Sequence, residues 1–225
     1  MNTMQITHIK HPTLEDFENK ACHEILNCAQ KSISLRDKFS IVLCGGNTPK
    51  GIFKKLAMHK ADWNKWHIYF GDERCLEKNN PDRNSMMANE AWLNHVPIMS
   101  SHKYFIDAEL GPEKAAKNYE QLLSNISTFD LVLLGFGDDG HIASLFPEHH
   151  WDNSRSVIPV YNAPKLPRER VSLTPKRLSK ARKILFLVTG SNKQTSFNRW
   201  IKKKDLPAAC VCAEEEIKIL SYDLL

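Results

Sequence analysis

The chain has 225 residues, 42% hydrophobic and 25% charged, an ordinary globular composition that can fill a core without disulfides or metals. Its formal net charge of +5 is small and spread along the sequence, which suits an anionic small molecule and argues against nucleic acid; the run Lys202-Lys203-Lys204 reads as the solvated end of a helix. No segment approaches the roughly 20 apolar residues that span a bilayer, the opening residues carry no signal-peptide pattern, and the six cysteines contain no Cys-x-x-Cys pair, so a reduced, metal-free, cytoplasmic protein is expected.

In chain order, residues 13–33 place Leu14, Phe17, Ala21, Ile25, Cys28 and Ala29 at helical spacing, with Thr13 able to cap the start and Asp16 to return the bond. Residues 39–43 then form a nearly continuous apolar run, as in strands buried on both faces of a parallel sheet. The run ends in Cys44-Gly45-Gly46-Asn47-Thr48-Pro49. Glycines let the backbone approach a ligand, Thr48 and Pro49 suit a helix start, and free N–H groups at such a start bind phosphate. A tight, well-capped turn explains the same residues equally well. After a helix over 48–59, a second strand at 67–70 ends in Gly71-Asp72-Glu73-Arg74. Asp72 and Glu73 are candidate acids, bases or orienting carboxylates, and Arg74 a two-pronged contact for phosphate or carboxylate; alone, they read as a surface charge cluster. A polar loop leads into a helix over 84–94, followed by a short strand at 104–106 and a helix over 112–126.

The third apolar run, 131–134, ends in Gly135-Phe136-Gly137-Asp138-Asp139-Gly140-His141-Ile142-Ala143-Ser144. Three glycines in six residues bracket two carboxylates and a histidine. An imidazole titrates near working pH and a neighbouring carboxylate can orient it, so His141 is a candidate general base. Residues 148–170 show no period and read as an irregular crossing. The fourth run, 184–188, ends in Thr189-Gly190-Ser191-Asn192-Lys193 before a helix over 192–203. A lysine at a helix start opposes the helix dipole, a conflict that a shared anion removes. Residues 217–222 read as a late edge strand. Strands alternate with helices, which predicts a single α/β domain over 1–225, its mostly parallel sheet covered by helices on both faces. In such sheets ligands bind beyond the carboxyl ends of the strands, where these four polar segments fall.

Together these residues resemble the 6-phosphogluconolactonases, which belong with the glucosamine-6-phosphate isomerases. The likeness runs through Gly45-Gly46-Asn47-Thr48-Pro49, Asp72-Glu73-Arg74-Cys75 with Asn84, the stretch 129–135, Asp139-Gly140-His141, and Ala143-Ser144-Leu145-Phe146-Pro147. It closes with Pro164-Lys165, Glu169-Arg170-Val171, and Gly190 with Lys193. Ile142 stands where that family usually has Thr, Arg83 where Ser is common, and Asn47 where Ser is usual; none removes a candidate catalytic group. The resemblance implies a Rossmann-like fold and hydrolysis of 6-phospho-D-glucono-1,5-lactone, in the oxidative branch of the pentose phosphate pathway, without cofactor or metal. His141 would be general base on water, with Asp139 or Asp72 orienting it. Arg74 or backbone N–H groups would steady the oxyanion. Gly45, Gly46, Asn47 and Thr48, with Arg170 and Lys193, would hold the 6-phosphate, and Asn84 would line the site. A monomer or small homo-oligomer with no nucleic-acid or membrane partner is expected. The rivals are a glucosamine-6-phosphate deaminase or isomerase, which Ile142 fits but Ser144-Leu145-Phe146-Pro147 does not, and a non-enzymatic sugar-phosphate sensor.

Overall fold

The structure is a computed structural model that describes residues 5–203 and 205–224. Six strands form one parallel sheet: β1 (Gln5–His11), β2 (Phe39–Leu43), β3 (Trp66–Phe70), β5 (Phe129–Gly135), β8 (Ala181–Thr189) and β9 (Glu216–Tyr222). Their spatial order is β1-β9-β8-β5-β2-β3. The continuous apolar runs form its centre, and every residue of β2 is buried. Side chains alternate across a strand. Lys218 of β9, in register with Leu185 of β8, therefore meets Glu24 of helix α1 (Leu14–Arg36) at 2.8 Å on one face, while Phe186 packs on Trp200 of helix α6 (Gln194–Lys203) on the other, ring centroids 4.6 Å apart. Helices thus cover both faces, as expected. Trp63, Trp66 and Trp92 pack together near the β3 edge, with Trp63–Trp66 centroids 4.7 Å apart, as core residues.

Four readings need correction. First, β1 was not foreseen, and β9 is not an edge strand because β1 pairs with it in parallel from Ile6↔Ile217 to His11↔Tyr222. Second, residues 104–106 form no strand; beside β3 the backbone makes the isolated bridge Ile68↔Lys103, and Tyr104 stacks on Tyr69 with ring centroids 4.5 Å apart. Third, the segment 148–170 is not merely irregular. It contains β6 (Val157–Val160), which pairs with β7 (Arg170–Leu173), and β7 pairs with β4 (Asp72–Arg74) in a three-stranded antiparallel sheet. Fourth, helix α2 (Asn47–Leu56) begins at Gly46 with no side-chain cap, because the Thr48 hydroxyl is 2.5 Å from that of Thr189 instead. Thr13 does cap α1, accepting from the Asp16 N–H at 3.0 Å. The helix expected over 84–94 is α3 (Asn84–Ala88) continued by a π-turn at Asn89–Leu93. Helix α4 (Pro112–Leu122) and a short α5 (Pro175–Leu178) complete the set.

Cys22 and Cys44 are buried, Cys28 and Cys75 half-buried, and Cys210 and Cys212 exposed, all as free thiols. Lys202 and Lys203 are exposed at the end of α6; Lys204 and the first four residues lie outside the described residues. Among the described residues no helix is long and apolar enough to cross a membrane.

Candidate active site

Strands β8, β5, β2 and β3 are neighbours, so the loops after them meet at one end of the sheet. After β2 the chain moves outward to β3, while β5 and β8 build in the other direction. The crevice at that reversal is where open parallel sheets bind ligands. A cleft of about 270 Å³ opens there, lined by residues of all four loops and by Arg170 and Lys165. That is just below the roughly 300–1,000 Å³ of pockets for drug-sized ligands, a scale suited to one sugar ring and a phosphate.

The histidine loop is built around one close pair. His141 Nδ1 lies 2.5 Å from Asp139 Oδ1, and the same oxygen accepts the His141 backbone N–H at 3.0 Å. This fold-back brings the ring over Gly137, where a Cβ would stand 2.1 Å from Nδ1; only glycine fits. Burial pushes Asp139 upward, but the hydrogen bond and charge of His141 outweigh it and bring the carboxyl down to about 2. A carboxylate so held favours the tautomer with its proton on Nδ1, leaving the Nε2 lone pair for a water or substrate. Phe146 flanks the ring, with centroids 4.8 Å apart.

Asp72 sits across the cleft, buried in β4, and is engaged elsewhere. Its Oδ1 accepts Asn84 Nδ2 at 3.1 Å and its Oδ2 accepts the Ser144 hydroxyl at 2.6 Å. Of the two carboxylates, Asp139 is therefore the one bonded to His141. Asn84 also donates to the Asp72 carbonyl at 2.9 Å and presses its Oδ1 against Gly45, where a Cβ would lie 1.8 Å away. Glu73 does not face the cleft. It is buried and accepts the N–H groups of Asn84 at 2.7 Å and Ser85 at 2.8 Å, so it caps α3. Arg74 lines the cleft with one nitrogen bonded to the Asp82 carbonyl.

Gly45, Gly46, Asn47 and Thr48 form the opposite wall. Gly46, at φ 105°, turns the chain into α2 so that the first N–H groups of that helix border the cleft. Lys193 also lines the cleft; burial pushes its ammonium group downward, with Asp138 and Cys44 pulling the other way. Arg170 is buried, donating to the carbonyls of Pro167 at 3.0 Å and Lys165 at 2.9 Å, with its guanidinium 5.6 Å above Phe146. Cys44 lies in the floor, but burial pushes its thiol up to about 12, which makes it a poor nucleophile. Arg83 never enters the cleft. It is buried on the far side of α3, bonded to Glu109 at 2.8 Å and the Ile106 carbonyl at 2.7 Å.

Residue-by-residue reading passed over Lys165, Asp138 and Asn192 as site groups. All three line the cleft, and Lys165 pairs with Asp138. Lys165 lies in a segment without periodicity, and its place in Pro164-Lys165 was the one signal available.

The fold and cleft define the class: a Rossmann-like α/β protein with a cleft at the carboxyl ends of a parallel sheet. The sequence profile described as glucosamine-6-phosphate isomerases/6-phosphogluconolactonase matches residues 12–220. The chain belongs to this family. It is 34% identical over 190 residues to a 6-phosphogluconolactonase of Thermotoga maritima, covering 83% of this chain and 86% of that protein. It is 38% identical over 174 residues to one of Synechocystis, covering 73% and 72%. It spans 65% of the length of a chloroplastic relative from Arabidopsis thaliana, at 33% identity. The crystal structure of the Thermotoga maritima 6-phosphogluconolactonase superposes with a TM-score of 0.91 at 29% identity, covering 97% of this chain and 100% of that one. A monomeric glucosamine-6-phosphate deaminase shares the fold at 17% identity, with a TM-score of 0.84.

Proposed function

We propose that the protein hydrolyses 6-phospho-D-glucono-1,5-lactone to 6-phospho-D-gluconate, the activity its relatives are named for. The observation that carries the reading is the Asp139–His141 pair at 2.5 Å, facing a wall of helix N–H groups and Lys193 across one cleft. A base and an anion cradle that share a cleft are what hydrolysis of a phosphorylated ester requires.

His141 Nε2 takes a proton from a water whose oxygen bonds to the lactone carbonyl carbon. Asp139 stabilises the imidazolium that forms. The tetrahedral intermediate collapses with cleavage of the bond between the carbonyl carbon and the ring oxygen. His141 returns its proton to that oxygen, leaving an open-chain hydroxy acid. Arg74 and backbone N–H groups, which line the cleft, stabilise the developing oxyanion. The 6-phosphate rests on the start of α2, supported by Lys193. Arg170 shapes the cleft by bracing the 165–167 loop, and its charge adds to the phosphate end. The Ser144-Leu145-Phe146-Pro147 continuation favours this reading over the amino-sugar deaminase. The protein acts without a metal or cofactor, in the cytoplasm, as a single domain.

The test is an assay with freshly prepared lactone, coupled to oxidation of the product. The protein should accelerate hydrolysis well above the spontaneous rate, and His141→Ala should remove about 10²- to 10⁴-fold of the acceleration. Well-folded protein that leaves the rate at its spontaneous value sinks the proposal. A His141→Ala variant as fast as wild type removes the base.

A further inference from the structure

Asp72 and His141 reach the cleft from different elements, β4 and the loop after β5. The Asp139–His141 bond orients the imidazole but does nothing to register it against Asp72. That register comes from Ser144. Its hydroxyl donates to Asp72 Oδ2 at 2.6 Å, and both residues are buried, Ser144 at 2% exposure and Asp72 at 5%. The Ser144 backbone N–H donates to Ser172 Oγ at 3.2 Å, and Ser172 stands opposite Asp72 in the β4–β7 ladder. One residue of the histidine loop is thus tied to two strands of the small sheet, β4 and β7. With Asn84 on the other carboxylate oxygen, Asp72 is gripped from two sides and cannot rotate without losing a donor.

The backbone between His141 and Ser144 supports the same conclusion. Ala143 has φ 47°, in the left-handed region that side chains resist. Such a conformation is strained for any residue with a Cβ and persists where surrounding contacts over-determine it. Here the contacts are the Leu145 N–H to Ile142 carbonyl bond at 2.9 Å and the two Ser144 bonds. His141 lines the cleft, whereas Ser144 does not; its hydroxyl meets the cleft wall at Asp72.

We infer that Ser144 is a positioning residue, whose hydroxyl latches the His141 loop to Asp72 and holds imidazole and carboxylate in one geometry. For what these groups do, the inference rests on the lactonase reading; the latch itself rests on the contacts. The hydroxyl donates to a carboxylate across the cleft wall, so Ser144 is not free to serve as a nucleophile.

The test measures kcat and KM separately for Ser144→Ala and Ser144→Thr, together with amide hydrogen exchange over residues 72–74 and 140–146. A displacement near 1 Å at a reacting group costs about 10²-fold. Ser144→Ala should therefore lose about 10- to 100-fold in kcat with KM within about twofold, and exchange should quicken in both segments. Ser144→Thr keeps the hydroxyl and should recover most of the turnover and protection. Unchanged kcat in Ser144→Ala overturns the latch. So does a raised KM with unchanged kcat, which would mark a substrate contact. If Ser144→Ala does not fold, Ser144→Cys, nearly isosteric but a weak donor, should show the same fall in kcat. If wild-type protein fails to accelerate lactone hydrolysis, the lactonase reading falls, and exchange alone decides the latch: unchanged protection in both segments overturns it.

Discussion

A histidine is useful as a base when one ring nitrogen is committed and the other is free. Asp139 commits Nδ1 at 2.5 Å, which makes Asp139 more than a counter-charge. Asp139→Asn keeps the shape but favours the wrong tautomer, so kcat should fall by about 10² or more while the fold survives. The same pair carries a pH signature. The folded-state carboxyl lies near 2, below its ordinary 3.8, so its stabilisation is complete above about pH 4 and is lost as pH falls toward 2. Urea midpoints measured between pH 5 and 2 should fall more steeply for wild type than for Asp139→Asn; parallel curves would remove the coupling. This pair was legible in the sequence because its members stand two residues apart in a glycine-rich loop. The choice between Asp139 and Asp72 was not, because the bond that occupies Asp72 joins it to Ser144, 72 residues away.

At the scale of elements, the legible strands were those buried on both faces. Strands β2, β3, β5 and β8 are buried over most of both faces, so their residues run almost entirely apolar. Strand β1 borders solvent at the sheet edge, with Ile6 57% exposed, and Thr7, His8 and Lys10 break any apolar run. The small sheet leaves no apolar run in the sequence, because β4 has three residues, all charged, directly after the end of β3. Arg83 belongs to this scale too. It stands where the family commonly has Ser, and it anchors the start of α3 to the turn at 106–109 and lies 3.6 Å from Glu73. At 3% exposure it is a buried charge whose partners would be stranded by its loss. Arg83→Leu should cost about 3–5 kcal/mol in urea unfolding, with KM in the surviving folded protein close to wild type. A loss below about 1 kcal/mol would show the brace to be idle.

For the whole molecule, the placement of the site follows from strand order. Because β8, β5, β2 and β3 lie side by side, polar segments about 30 to 60 residues apart in sequence converge on one crevice. Alternation of strands and helices made the parallel sheet legible; the resemblance then placed the four loops together, since no periodicity encodes which strands are neighbours. The proposed function divides labour across the cleft, with anion contacts on the α2 and Lys193 side and the base on the other. A ligand carrying the phosphate but no scissile bond should therefore stabilise the fold without help from His141. Ligand at about 100 times its Kd contributes about 2.7 kcal/mol, which raises the Tm of a domain this size by about 5–10 °C. Thermal melts with 6-phosphogluconate should show that shift in wild type and His141→Ala. They should show most of it lost in Lys193→Ala, and 1 M salt should weaken it by screening the cleft charges. Equal shifts in all three proteins would place the phosphate elsewhere; a shift lost in His141→Ala alone would mean the two sides of the cleft do not work separately.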